Sequence, residues 1–233
     1  MATHRLVCLA NSIKLGGHCV AGLRVDGNGW IRPISELPEG ELMTRQCTCD
    51  SGVEVAPLDL VEVEVGGHRP LVNQSENFLV TNTPWKLLAR PAPVSLATVV
   101  RKAIVLSPPL LGCTASRRSI HDFPAGQHAA SLALVAPDQP RWEVTTSSRN
   151  KMQVRCSFEL GSTTYNLAVT DPAWKRRFRS LPFGLHRGSS VGLSPADRLL
   201  LCVSTGEPYG GYCYLLVAAV IVLDAGWRSA LLK

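Results

Sequence analysis

The chain has 233 residues, 45% of them hydrophobic, and a net charge of +6, enough apolar content for one or two packed cores. Aromatic residues are few while Gly and Pro are frequent, which suits short strands joined by tight turns better than a helical bundle. The longest apolar run, YCYLLVAAVIVL at 212–223, is too short for a membrane-spanning helix of about 20 residues and reads as buried strand.

In chain order, HRLVCLA (4–10) and HCVAGLR (18–24) read as strands, DGNG (26–29) as a turn, and GWIRP (29–33) as the returning hairpin partner. Pro33 should end that strand or place it at a sheet edge. LVEVEV (60–65) alternates, with Glu62 and Glu64 facing out, then GGHRP (66–70) turns the chain and FLVT (78–81) is a strand. WKLLAR (85–90) adds a further strand, and SLATVVRKAIV (95–105) has helical spacing with Ser95 as N-cap. The stretch 106–130 reads as a long polar loop. Strands resume at 131–135, 141–146, 153–160 and 165–170. DPAWKRRF (171–178) starts a short helix, with Asp171 as N-cap and Pro172 in the first turn. RSLPFGLHRGSS is loop, and 198–204 with 212–223 close the chain's second β segment.

Charge divides unevenly. Arginine supplies most of it, 18 Arg against 6 Lys, and its planar fork suits phosphates and stacks on rings. The window 141–187 holds nine basic residues against three acidic ones. There, Trp142 and Arg155 lie in strands, while Trp174, Lys175, Arg176, Arg177, Phe178 and Arg179 lie in or beside the short helix. Charges that track phosphates and rings that stack bases are what single-stranded nucleic acid needs. The alternative is a solvated helix whose Trp and Phe, four residues apart, face a core. In GWIRPIS, Trp30 and Arg32 are two apart and share one strand face, a candidate ligand platform that Lys14 and Arg24 would extend. Asn73, Gln74 and Asn77 could read base edges or cap turns.

Signals for other chemistry are weak. The eight cysteines sit largely among apolar residues, and the first residues, MATHRLVCLANS, lack a signal-peptide h-region. A reduced, cytoplasmic protein is expected. Cys47 and Cys49, with His68 or Cys113, form no paired CxxC set for zinc, and His121, Asp122 and His128 match no metal spacing. Walker, GxSxG, HExxH and dinucleotide motifs are absent, and STGEPYGGY reads as a hairpin turn. His68, Glu76, His121 and Asp122 would be the candidate residues for an enzyme.

Four segments together resemble one family: KLGGHCVAGLRVDGNGWIRPIS (14–35), NQSENFLV (73–80), LAVTDPAWKRRF (167–178) and LLLCVSTGEPYGGYCYLLVAAVIVL (199–223). In this order they are similar to the bacterial dual OB-containing domain. The resemblance implies an all-β chain with one or two short helices and two OB-like barrels packed in one module. The strand pattern, two β segments of similar size around a helical connector, sets the expected division: a first barrel at 1–90, a helical and loop connector at 91–130 and a second barrel at 131–233. The resemblance also implies nucleic-acid binding in a bacterial defence or conflict setting, and together with the residue signals the expectation is a non-catalytic binder of DNA or RNA with no cofactor, metal or membrane. The alternatives are a protein-interaction subunit of a defence complex and a nucleotide- or nucleic-acid-processing enzyme.

Overall fold

A computed structural model describes residues 1–14, 16–123, 129–148 and 150–232. The chain forms two compact units, one of Met1–Ala103, Phe123–Ser131 and Asp224–Lys233, the other of Ile104–Asp122 and Leu132–Leu223. The strands of the first unit are β1 (Ala2–Lys14), β2 (Gly17–Arg24), β3 (Trp30–Ile34), β4 (Leu60–His68), β5 (Asn77–Val80) and β6 (Lys86–Ala89), followed by helix α1 (Ala97–Arg101). The second unit holds β7 (Arg117–Ser119), β8 (Leu132–Val135), β9 (Arg141–Thr146), β10 (Met152–Leu160), β11 (Thr163–Val169), α2 (Pro172–Arg176), β12 (Gly184–His186), β13 (Leu199–Tyr209) and β14 (Tyr212–Val222). Helix α3 (Ala225–Leu231) then belongs to the first unit again. The all-β class is correct, with three α-helices among the described residues rather than one or two.

In the first unit β1, β2 and β3 form an antiparallel meander. β3 runs parallel to β5, β5 pairs with β4, and β4 returns to β1, so five strands close into a barrel. The alternation in β4 explains its two faces: Val61, Val63 and Val65 are buried while Glu62 and Glu64 are not. The valines meet Leu6, Cys8, Val20, Ile31, Leu42 and Trp85 in the barrel core. Where β1 crosses β2, a Cβ on Gly22 would stand 2.4 Å from the Val7 carbonyl oxygen, so this crossing demands glycine.

Pro33 departs from expectation. Its strand is interior, between β2 and β5. The β2 pairing ends at Ile31, and Pro33 lies beyond it, opposite Phe78 of β5. The missing N–H therefore removes no bond to β2. Ser95 does not cap a helix either. Residues Val94–Leu96 form a 3-10 turn, and α1 starts without a side-chain cap. In α3, by contrast, Asp224 accepts the Trp227 amide at 2.8 Å. Trp227 is fully buried, with its indole N–H on the Ala92 carbonyl at 3.2 Å.

The second unit repeats the connectivity. β9, β10 and β11 form a meander, β11 runs parallel to β14, and β14 pairs with β13. The difference lies in the first strand. β1 alone serves both β4 and β2, but here the work is divided, with β8 on β13 and β9 on β10. Pro137 and Pro140 stand in the five residues, 136–140, that separate them. Proline cannot donate to a ladder, and two of them break the strand. Asp171 caps α2 as expected: Oδ1 accepts the Trp174 amide and Oδ2 the Val220 amide, each at 2.9 Å.

Candidate nucleic-acid interface

In the first unit Trp30 and Arg32 do flank the core-facing Ile31, but the expected open platform is covered. Arg32 is only 3% exposed. Its Nη2 donates to Ser131 Oγ at 2.6 Å and lies 3.4 Å from Glu76 Oε1. Ser131 Oγ also donates to Glu76 Oε1, and Ser75 Oγ to Glu76 Oε2 at 3.0 Å. The Arg32 amide donates to the Glu76 carbonyl at 2.8 Å. Arg32 thus ties the 73–77 segment and Ser131 to β3, because a buried guanidinium must find partners. Asn73, Gln74 and Asn77 are buried in the same node, and Asn77 Nδ2 donates to Gln74 Oε1 at 3.1 Å. Trp30 is half-buried. Arg24 is paired with Asp26 at 2.6 Å, and this hydrogen bond, with help from the Asn28 amide, holds the Asp26 carboxyl down at about 2. Lys14 ends β1, and its side chain lies outside the described residues.

In the second unit the expected stacking rings are core. Trp142 is fully buried and Trp174 is 2% exposed. Their rings sit 5.0 Å apart and meet Phe178. The period of two in RWEVTT sends Trp142 inward with Val144, and the helical spacing sends Trp174 and Phe178 inward together. Neither tryptophan offers a face to a base.

Apart from Ala168, which pairs with Arg155, the outward residues of the meander are polar, and they include the exposed Glu159. Gln153, Arg155 and Ser157 of β10 lie beside Thr164 and Asn166 of β11, with Glu143 across from Arg155. Arg155 is braced flat on this face. Nε donates to Asn166 Oδ1 at 2.7 Å, Nη2 to the Asn166 carbonyl at 2.6 Å and Nη1 to Gln153 Oε1 at 3.2 Å. Among the basic residues at α2, Arg176 and Arg179 are exposed and Lys175 is half-buried. Arg177 turns back, with its guanidinium carbon 4.6 Å from the Trp174 ring centroid and Nη1 on the Val191 carbonyl at 3.1 Å. Arg149 lies outside the described residues.

Exposed rings come from places the sequence reading passed over. Phe183, next to edge strand β12, is 68% exposed, and Leu185 within it is 79% exposed. Tyr209, at the β13–β14 turn, is 61% exposed, and Arg117 of β7 stands 4.1 Å from the ring centroid of Tyr212. The signal available was local: Phe183 lies between Pro182 and Gly184, and Tyr209 precedes Gly210 and Gly211, whose positive φ values make the hairpin turn.

No group of three or more His, Cys, Asp or Glu stands close enough to hold a metal ion among the described residues. Cys47 and Cys49 belong to the first core, where burial pushes the Cys47 thiol up to about 12 and raises that of Cys49. Of the acid–base candidates, His68 Nε2 donates to the Ser75 carbonyl at 2.6 Å and Glu76 is held in the Arg32 node. His121 and Asp122 sit exposed in a 3-10 turn of the second unit, and His128 lies outside the described residues.

The sequence pattern of the dual OB-containing domain matches residues 4–220. This chain belongs to that family. The dual OB architecture accounts for the repeated meander, followed in both units by a parallel strand. Among solved structures, a murine DNA-binding protein bound with double-stranded DNA is 12% identical, with 97% of this chain and 100% of that one covered and a TM-score of 0.33. The Ifi202 HINa domain in complex with 20-bp double-stranded DNA is 10% identical, with 95% of each chain covered and a TM-score of 0.33. The tetrameric p202 HIN2 is 6% identical, covering 96% of this chain and 93% of that one, at a TM-score of 0.32. These likenesses are too distant to carry function. No curated protein matches the dual OB chain. Among the described residues no helix is long and apolar enough to cross a membrane.

Proposed function

We propose that this dual OB domain binds single-stranded or structured nucleic acid without reacting with it, through the outer face of β9, β10 and β11. The observation that carries the reading is Arg155, held by Asn166 and Gln153 on a sheet face that also carries Glu143, Glu159 and Ala168. A guanidinium fixed in this way meets a phosphate with little ordering left to do. OB folds bind oligonucleotides on this kind of strand face, though the fold alone assigns no ligand. Arg176 and Arg179 add long-range positive charge, and the exposed Phe183 ring offers a stacking surface. A bacterial defence setting in the cytoplasm belongs to the same proposal and rests on the family resemblance. A protein partner is the second reading, favoured by the exposed Leu185 on edge strand β12.

Fluorescence anisotropy with labelled poly-dT, poly-U and a duplex at two salt concentrations tests the proposal. Binding is expected to weaken with salt by a log–log slope of about 0.7 per phosphate contact on a single strand. Arg155→Gln should weaken it as well. Failure of all three probes to bind at low salt would move the assignment to the protein partner.

A further inference from the structure

The second unit contains a cleft of about 890 Å3, within the range of small-molecule sites. Its walls come from the β8–β9 connection, the end of β12 and the chain from 187 to 199. Arg141, Arg187 and Arg198 line it together with Asp138 and Asp197. Arg198 is held in place by Nη1, which donates to the carbonyls of Pro195 and Asp197 at 3.1 Å each. Asp197 Oδ2 accepts the Ser194 amide at 2.7 Å. Arg141 and Arg187 make no side-chain hydrogen bond or ion pair among the described residues. The strongly exposed Leu185 forms part of an apolar wall.

Guanidinium forks match pairs of phosphate oxygens, and three of them outnumber the two carboxylates. The carboxylates narrow the ligand further. An anion with no donors would meet repulsion from Asp138 and Asp197. A ligand that sets hydroxyl groups beside its phosphate gives both carboxylates something to accept. A sugar phosphate has this pairing, and a base adds a flat face for the Leu185 wall. We propose that the cleft holds one nucleotide by its phosphate and sugar, either a free nucleoside phosphate or the phosphorylated end of a strand. The strand-end form rests on the function proposed above, and the free form does not.

The test compares poly-U, whose terminal sugar keeps its 2′-hydroxyl beside the phosphate, carrying a 5′-phosphate or a 5′-hydroxyl by anisotropy, and titrates adenosine and uridine 5′-monophosphate by calorimetry. The proteins are the full chain, Arg187→Gln, Arg198→Gln and, for the sheet face, Arg155→Gln. Arg187 is exposed, so thermal melting of its variant should match the parent and show that folding is intact. Losing a charge-assisted phosphate contact corresponds to about tenfold in affinity or more. A tenfold preference for the phosphorylated strand, abolished in the two cleft variants and kept in Arg155→Gln, supports the strand-end form. Saturable monophosphate binding that the cleft variants lose supports the free form, even if no strand binds and the nucleic-acid reading fails. Equal affinity for both strands with no monophosphate binding overturns the inference, even where Arg155-dependent strand binding persists. Monophosphate binding that survives both cleft replacements overturns it too.

Discussion

Arg32→Ala separates a ligand platform from a structural tie. The Arg32 and Glu76 side chains are 4% and 5% exposed. Removing the guanidinium leaves the Glu76 carboxylate buried, with the Ser75 and Ser131 hydroxyls as its side-chain donors among the described residues. Breaking a buried pair from one side costs about 3–5 kcal/mol. In a chain of this size each kcal/mol moves a melting transition by about 2–4 °C, so the first unit should melt roughly 6–20 °C lower. Circular dichroism melting reads this directly. The Arg32→Ala/Glu76→Gln double variant should recover part of the loss, because no unpaired buried charge remains. Oligonucleotide affinity, measured well below the transition, should stay near the parent value. A variant that melts within about 2 °C of the parent and loses its oligonucleotide affinity would refute this account and return Arg32 to a ligand-facing role.

Phe183→Ala should lower single-strand affinity by about 1–3 kcal/mol, the worth of one base stacked on a ring, without moving the melting temperature, since the ring is mostly exposed. Anisotropy and melting on the same preparation check both halves, and a melting shift without an affinity change would make Phe183 a packing residue. Asp171→Ala removes the α2 cap, worth about 1 kcal/mol, and strands the Val220 amide, worth about 1–3 kcal/mol more. The urea midpoint of the second unit should fall accordingly, and an unchanged midpoint would show that other groups take over both hydrogen bonds.

The fold was largely readable because its strands obey period two. LVEVEV and QVRCSFEL assign their own inner faces, and turn chemistry placed DGNG and the Gly210–Gly211 hairpin. The same rule carried a signal about Trp142 that pointed to the core: a tryptophan two residues from Val144 in a half-buried strand belongs with it. Arg32 was harder. Alternation correctly sets it opposite the Ile31 face, but its cover includes Ser131, 99 positions along the chain, and no local pattern announces a contact of that span. Pro33 misled for a similar reason, since its tolerance depends on where the β2 pairing stops. The exposed Phe183 and Leu185 went unread because a loop between Pro and Gly gives no periodicity from which exposure can be inferred. Helix α3 had a capping aspartate and the i, i+4 pair Trp227 and Leu231, a short signal beside a long apolar strand.

The interruption between β8 and β9 also affects how freely each unit can drift in sequence. β1 passes from one neighbour to the other as one strand, with a register shift only between Cys8 and Ala10, so a further added or lost residue there would flip the later side chains to the wrong face. The residues between β8 and β9 carry no such constraint, because neither flanking ladder counts its register through them. Insertions and replacements at 136–140 reshape one wall of the cleft and leave both ladders aligned. The second unit is therefore the one in which the cleft wall can change while the fold stays fixed.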